Sequence, residues 1–463
     1  MILRKEFLGL LIIPLVLNFI FNFFNNKVYV QIFTLDFINL GSALILFSII
    51  YLMGKGIKKT FNFPMISTGI VFYFTSIFLF DNIFLFITKK YSFSQVFLIF
   101  NLILFSYLIY KKKANKEILG VSVIYILNLI YNSIFSKFFN LDIPIKGDVE
   151  VAWYPMAENI YNQNYFYSLS NPFLDGYGQL ISYTHAVLLK INVNLSDFEF
   201  LRSTTNVLFF LSILLLLELD ISTKNKIFSI LTFIVLILNS EWLNYLFIDS
   251  LMGEGVVSYF FAVGLLSLFR EVKKLDQHNL MVYVLFGTIY FTKQFITLIV
   301  LLVCISLLIY KQSRKYAFYS FIPFLINEIN LMTSLKNGNR DAYASNFDFR
   351  DTILDLFTNT DLKIGNAYTI FLNLLKDKPF TYLLLMFLFS FVVIIIKEQK
   401  LNQESLTIFC LFFLNLMLIV TLYISAWRNM PELESPIRYI LNLFHVIVVY
   451  TFINLNNFES LDN

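Results

Sequence analysis

Long apolar runs separated by short polar turns fill most of the chain, and they set its fold before any single residue is considered. Crossing a bilayer as a helix takes ~20 predominantly apolar residues, because only a helix or a closed barrel satisfies its own backbone in lipid. About fourteen runs meet that requirement, with centres near Leu15, Ser42, Tyr73, Asn101, Leu127, Ile213, Val235, Val263, Leu285, Val303, Phe324, Leu388, Leu414 and Val446. The pattern predicts an all-α, polytopic transmembrane protein of about 12–14 spans. The opening MILRKEF is followed by an apolar run from Leu8 to Phe24 without a small-residue cleavage site, which reads as a first span that stays in place.

Two stretches break the pattern, one from Lys146 to Arg202 and one from Lys336 to Lys378. Both are outer loops, 146–202 and 336–378, of a membrane core at residues 117–463, and a membrane module of about four spans, residues 1–116, precedes that core. Inside the second loop, NAYTIFLNLLKD has helical apolar spacing and predicts a helix lying on the membrane surface.

Charge then orients the spans. With a cytoplasmic start, Lys55, Lys58 and Lys59, Lys111 to Lys113, Lys224 and Lys226, Arg270, Lys273 and Lys274, Lys311, Arg314 and Lys315, and Lys397 and Lys400 all fall inside. That is the lysine and arginine bias that sets topology through short loops; Lys89 and Lys90 are the exception, on the other side. The same assignment puts Asp148, Glu150, Glu158, Asp175, Glu241, Asp249, Glu254, Glu432 and Glu434 outside, so the two faces differ chemically.

Composition narrows the class. The 463 residues are 58% hydrophobic and 14% charged, and the mean hydropathy is +0.71, outside the balance of a soluble domain. A net charge of +4, spread over loop anchors, argues against nucleic acid as a partner. Cys304 and Cys410 both lie in apolar runs and read as buried thiols, not as a disulfide framework or a thiolate metal site. No P-loop, GxGxxG or internal repeat occurs, so the inner face offers no nucleotide site and no cofactor is expected; a divalent metal at the outer acids is not excluded.

Candidate chemistry collects on the outer face. Asp148 and Glu150 follow a span and precede Trp153, Tyr154, Ala157 and Ile160, which fall at the spacing of a short amphipathic helix able to rest on the bilayer interface. Acids at such a helix start stay ionised beside free backbone N–H groups and can accept a proton. EWLNYLFIDSLMGEG sets Asp249 and Glu254 around the next outer turn, and Lys293 stands alone between apolar runs. Arg438 and Tyr439 open the last span, where a guanidinium suits a phosphate or anchors the interface beside Glu434. His185 and His445 sit near outer span ends and His278 in an inner loop, and no pair has metal-ligand spacing. The tripeptide Gly176 to Gly178 lacks the preceding Thr-Val of a potassium filter and reads as a turn.

An acid just after a span, an aromatic and Ala on a surface helix, an aromatic-Gly-Gln-Leu run, the acidic turn IDSLMGE, a Thr-Lys span and a terminal SPIRYIL together resemble the polytopic glycosyltransferases of the GT-C superfamily. The resemblance is to the branch using polyprenyl-phosphate-linked mannose or arabinose, and it covers Asp148 to roughly Val449. It implies inverting transfer of a sugar from a polyprenyl-phosphate carrier to a glycan, lipid or protein acceptor, performed on the periplasmic or lumenal face. It further implies a bacterial inner-membrane protein with its active face to the periplasm, surrounded by membrane lipids. Carried over, Asp148 is the general base and Arg438 the phosphate ligand, with Lys293 a second cation; Asp249, Glu254, Tyr439 and His185 complete the substrate side. The family's paired acids are adjacent, whereas Val149 separates Asp148 from Glu150 here, so either acid can be the base. The spans ahead of the acidic loop are also additional to the family pattern.

The alternative is a transporter or flippase for a lipid-linked or small polar substrate. It calls for ionisable groups near mid-membrane on broken helices, for which Asp36 and Glu328 are the main candidates. The topology is testable directly: single cysteines at Asn162 and Asn337 should react with an impermeant thiol reagent in intact cells. Labelling only after permeabilisation reverses the orientation.

Overall fold

The computed structural model describes residues 37–87, 93–135, 154–161, 179–192, 200–237, 242, 246, 253–274, 278–292, 294–309, 313–326, 360–398, 403–424 and 437–459. Among these every regular element is helical, and seven helices are long and apolar enough to cross a membrane. The chain is therefore an all-α polytopic membrane protein. The seven are α1 (Phe37–Phe61), α2 (Ile66–Ile87), α3 (Phe93–Tyr110), α4 (Asn115–Phe135), α9 (Glu254–Val272), α14 (Lys378–Glu398) and α15 (Gln403–Ile424). Shorter helices fill the spaces between them: α5 (Tyr154–Tyr161), α6 (Gln179–Ile191), α7 (Phe200–Leu217), α8 (Thr223–Ile237), α10 (Leu280–Thr288), α11 (Gln294–Ile309), α12 (Arg314–Ala317), α13 (Thr360–Lys376), α16 (Ile437–Ile440) and α17 (Phe444–Glu459).

Every predicted span centre except Leu15, which lies outside the described residues with Asp36, falls in a helical segment; Phe324 falls in one covering only residues 322–326. Among the described residues seven helices are long enough for a full crossing, and several other predicted runs form shorter helices. The reason is local: the runs around Leu285 and Val303 are parted by a 3-10 turn, Ile289–Phe291, and the run around Val446 starts with another, Leu441–Leu443. A 3-10 turn is a short, tighter wind that commonly marks a helix terminus or connector.

Helices α1 and α2 pack closely. They cross where Gly54 meets Gly69, so closely that a side chain at Gly69 would collide with the Gly54 carbonyl, the small-residue packing that membrane helices use in place of a hydrophobic drive. Asn62, in the left-handed conformation with φ of 56°, closes α1 by letting Phe63 N–H reach the Lys58 carbonyl at 3.1 Å, and Pro64 prevents continuation. The first turn of α2 is then capped from far along the chain. Glu218, just after α7, accepts from the backbone N–H groups of Ile66 (2.5 Å) and Ser67 (2.9 Å) and from the Ser67 hydroxyl (2.7 Å).

That cap belongs to a polar network joining the lysine-rich turns. Glu117, at the start of α4, is paired with Lys59 (2.5 Å) and Lys55 (3.8 Å) of α1. Asn279 donates to the Phe61 carbonyl at 2.7 Å and its backbone N–H to buried Glu271, which also holds Lys274 at 2.8 Å. Glu404 pairs with Lys273 and accepts from Tyr450 at 3.0 Å, while Asn456 accepts from the Ser222 N–H at 2.7 Å. Turns from α1 to α17 therefore lie at one end of the bundle, as the charge pattern requires, and the starts of α9 and α17 lie at the other.

Helix α9 is the axis of the core, buried from Glu254 through Leu268. Helices α3 and α4 are peripheral and expose Leu98, Leu102, Ile103, Leu119, Val123 and Ile126. The segment predicted as one outer loop, 146–202, departs from that expectation: α6 within it is apolar, and Leu180 to Leu189 are buried against α2, α7 and α5. Helix α5 exists where amphipathic spacing placed it, yet its apolar residues Met156, Ala157 and Ile160 are buried and it packs mainly on α6, so protein takes the place expected for the bilayer interface. Helix α13 matches its predicted amphipathic pattern, burying Ile370 and Leu374 while exposing Ile364, Tyr368, Phe371 and Leu375 in a stripe at the spacing of an interfacial helix. Cys304 is buried as expected, whereas Cys410 is exposed on α15, because a span at the bundle edge turns apolar residues toward lipid.

Replacing Glu218 by Ala should lower stability by about 1–3 kcal/mol, since it orphans two amides and a hydroxyl at once. Thermal unfolding in detergent reads this directly, and an unchanged midpoint would show that the cap contributes nothing.

Candidate functional site

Described elements that adjoin the predicted acids in sequence are linked by successive contacts. Helix α5, which begins shortly after Asp148 and Glu150 in sequence, lies on α6; α6 touches the 3-10 turn Ile289–Phe291, which precedes Lys293; that turn touches α9, whose first residue is Glu254; and α9 packs against the turn Leu441–Leu443, which follows Arg438 and Tyr439 on α16. Aromatic rings fasten the first part of this chain. Phe78 of α2 contacts Tyr183 of α6 edge-on at 5.3 Å and Phe291 at 5.1 Å, and Tyr183 meets Phe93 at 5.4 Å.

The predicted residues fare differently. Asp148, Glu150, Asp249 and Lys293 lie outside the described residues. Glu254 is fully buried, in the first turn of α9, where free N–H groups favour a carboxylate. It follows Gly253, whose φ of 93° is a conformation that side chains disfavour, so glycine is needed for the chain to enter α9 at this angle. Arg438 is in α16, and its neighbour Tyr439 packs partly buried against the core. His185 is buried in the middle of α6, and neither ring nitrogen has a hydrogen-bond partner among the described residues. A buried imidazole without partners is uncommon and marks a position that a ligand group or water can complete.

His445, one turn inward, is the opposite case. Its Nδ1 lies 2.9 Å from the Ser258 hydroxyl and its Nε2 2.8 Å from the Ser212 hydroxyl, tying α17 to α9 and α7. Ser212 already donates to the Leu208 carbonyl at 2.8 Å, and Ser258 accepts from the His445 backbone N–H at 2.9 Å. Only one arrangement uses every proton once: Nε2–H donates to Ser212, and Ser258 donates to Nδ1, leaving a neutral, fully satisfied imidazole. His445 is thus a structural tie, packed among Phe233, Tyr259 and Phe444.

Beside it, Trp242 is fully buried edge-on to Phe444 at 5.5 Å, and Asn442 gives its amide to the Tyr439 carbonyl at 3.1 Å; among the described residues the indole N–H and the Asn442 oxygen have no partner. His185, Trp242 and Asn442 together leave both donor and acceptor capacity unused in the outer half of the core. Among the described residues no three of His, Cys, Asp and Glu gather closely enough to hold a metal.

Buried polar groups that the sequence reading passed over lie inside the spans. Asp81 is fully buried in α2, and Asn132 of α4 donates to the Asn192 side chain at 2.6 Å and to its carbonyl at 2.9 Å, with Asn128 donating to the Ile191 carbonyl at 3.4 Å. The spacing of Asn128 and Asn132, one helical turn apart in an apolar run, was a readable signal of a polar seam.

Fold and burial define an integral-membrane protein with chemically different ends. In the comparisons with known proteins, no family model, no curated protein and no solved structure matches the chain. The arrangement at His445 can be tested alone: a double-mutant cycle of His445→Ala with Ser258→Ala should give a coupling of about 0.6–1.7 kcal/mol in detergent unfolding, the range of interhelical bonds in membranes. Strict additivity would show that the two residues do not interact.

Proposed function

We propose that the protein is an integral-membrane glycosyltransferase of GT-C type that moves a sugar, with inversion, from a polyprenyl-phosphate carrier to a glycan, lipid or protein acceptor. The acceptor hydroxyl gives its proton to Asp148 as its oxygen bonds to the anomeric carbon, and the bond from that carbon to phosphate breaks, leaving polyprenyl phosphate. Arg438 holds the phosphate and Lys293 assists; Glu254, Asp249, Tyr439 and His185 serve the sugar and the acceptor. The site faces the periplasm of a bacterial inner membrane, away from the lysine-rich turns.

The observation that supports this reading is the run of successive contacts from α5 to α6, to the turn before Lys293, to α9 and to the turn that follows α16. A carrier's phosphate rests at the membrane interface while its prenyl chain lies among the helices. The His185 ring nitrogens, the Trp242 indole N–H and the Asn442 oxygen, without partners among the described residues, add hydrogen-bonding capacity suited to a polar substrate.

A transporter or flippase is the second reading, and buried Asp81 with the Asn128, Asn132 and Asn192 seam favours it, because intramembrane polar groups often mark a substrate path. Mass spectrometry of lipid-linked sugars with and without the intact gene separates the two. Unconsumed carrier-sugar accumulates if a transferase is lost, and carrier trapped on the cytoplasmic leaflet accumulates if a flippase is lost.

Asp148→Asn should reduce transfer by ~10²- to 10⁴-fold while donor lipid still binds, the usual effect of removing a general base. Activity retained in Asp148→Asn and lost in Glu150→Gln would move the base to Glu150; two active variants on a verified substrate would refute the transferase reading.

A further inference from the structure

The lysine-rich end carries a patch that the proposed reaction does not use. Helices α3 and α4 are joined by a turn at residues 111–114 in which Lys112 adopts the left-handed conformation, with φ of 55°, and its N–H bonds the Ile109 carbonyl at 2.9 Å. Ala114 is buried beneath the turn against Gly56, so the turn is pinned to α1 and not loose. Lys111, Lys112, Lys113 and Lys116 consequently project outward, all exposed.

Their charge is not cancelled locally. The one acid near the turn in sequence, Glu117, is buried and already engaged by Lys59 and Lys55. Lys112, Lys113 and Lys116 make no salt bridge among the described residues. The Lys111 ammonium lies over the rings of Tyr107 and Tyr110, at 5.5 and 5.7 Å, and Tyr110 is 76% exposed, an aromatic pair placed where apolar span meets polar turn. Directly beyond the turn the exposed faces of both helices are apolar, with Leu102, Ile103 and Ile109 on α3 and Leu119, Val123 and Ile126 on α4.

We infer that the α3–α4 hairpin is a binding surface for an anionic glycerophospholipid, its phosphate held by Lys112, Lys113 and Lys116 and its acyl chains laid along the exposed hairpin faces. Charge complementarity selects the occupant. Unpaired ammonium groups at the membrane surface attract anionic headgroups, and a zwitterionic headgroup of the same size brings a positive charge that the lysines repel. This surface is independent of the sugar-transfer reading and lies at the other end of the bundle.

The test uses the full-length protein in detergent with equimolar phosphatidylglycerol and phosphatidylcholine of matched chains, and counts retained lipids by native mass spectrometry. Wild type should retain phosphatidylglycerol preferentially, and Lys112→Ser/Lys113→Ser/Lys116→Ser should reduce that preference by about fivefold or more. The control Lys226→Ser/Arg314→Ser/Lys315→Ser, which removes equal charge from the same end, should change it by less than about twofold. An equal loss in both variants would mean diffuse attraction to positive charge and would overturn the proposal, as would an unchanged preference in the first. Photo-crosslinking of wild type with a photoactivatable phosphatidylglycerol reads the site without any variant: adducts should map to peptides spanning residues 98–127, and adducts confined to other helices would refute it.

Discussion

Glu218 on the first turn of α2 is the contact on which the arrangement of this bundle most depends. A helix start leaves its first N–H groups unsatisfied, and in a membrane protein that debt cannot be left beside lipid. Here the carboxylate that answers it comes from just after α7, so the α1–α2 hairpin is tied directly to the central core. The same turn of α2 places Thr68 at 2.6 Å from Ser267 on the central helix α9, a second tie at the same level. With Glu117, Glu271 and Glu404 each holding a lysine nearby, the acids at this end serve as glue between turns.

The opposite end is built on a different rule. Its helices are held by aromatic contacts and by the neutral His445 between two serines, and several buried polar atoms there have no partner among the described residues. One end is saturated with internal hydrogen bonds, and the other holds capacity in reserve. Buried, unsatisfied groups cost stability wherever they occur, so His185, Trp242 and Asn442, unsatisfied among the described residues, are an argument for a polar ligand that needs no resemblance to any known protein.

Chemical asymmetry also separates two uses of the membrane. The proposed carrier lipid lies among helices near the partly unsatisfied end, while the α3–α4 hairpin offers apolar faces and free lysines to bulk phospholipid at the other. A hairpin that packs mainly through α1 and exposes both outer faces is free to take part in lipid contact without disturbing the core.

Hydrophobic periodicity by itself determined that this chain is helical and membrane-spanning, and lysine spacing determined which turns share an end; both follow from local rules of backbone satisfaction and charge placement in a bilayer. Amphipathic spacing likewise marked α5 and α13, since it reports that one face is apolar. What covers that face is a tertiary matter. Met156 and Ile160 found α6 where a bilayer interface was expected, and α6 itself was hidden because its apolar run, interrupted by Ser182, Thr184 and His185, is too short to resemble a span. The partners of Glu218, Asn132 and His445 are 152, 60 and 233 residues away in sequence, and no spacing rule reaches that far. Hydrophobicity fixes which segments leave water; only packing decides which polar groups meet once they have left it.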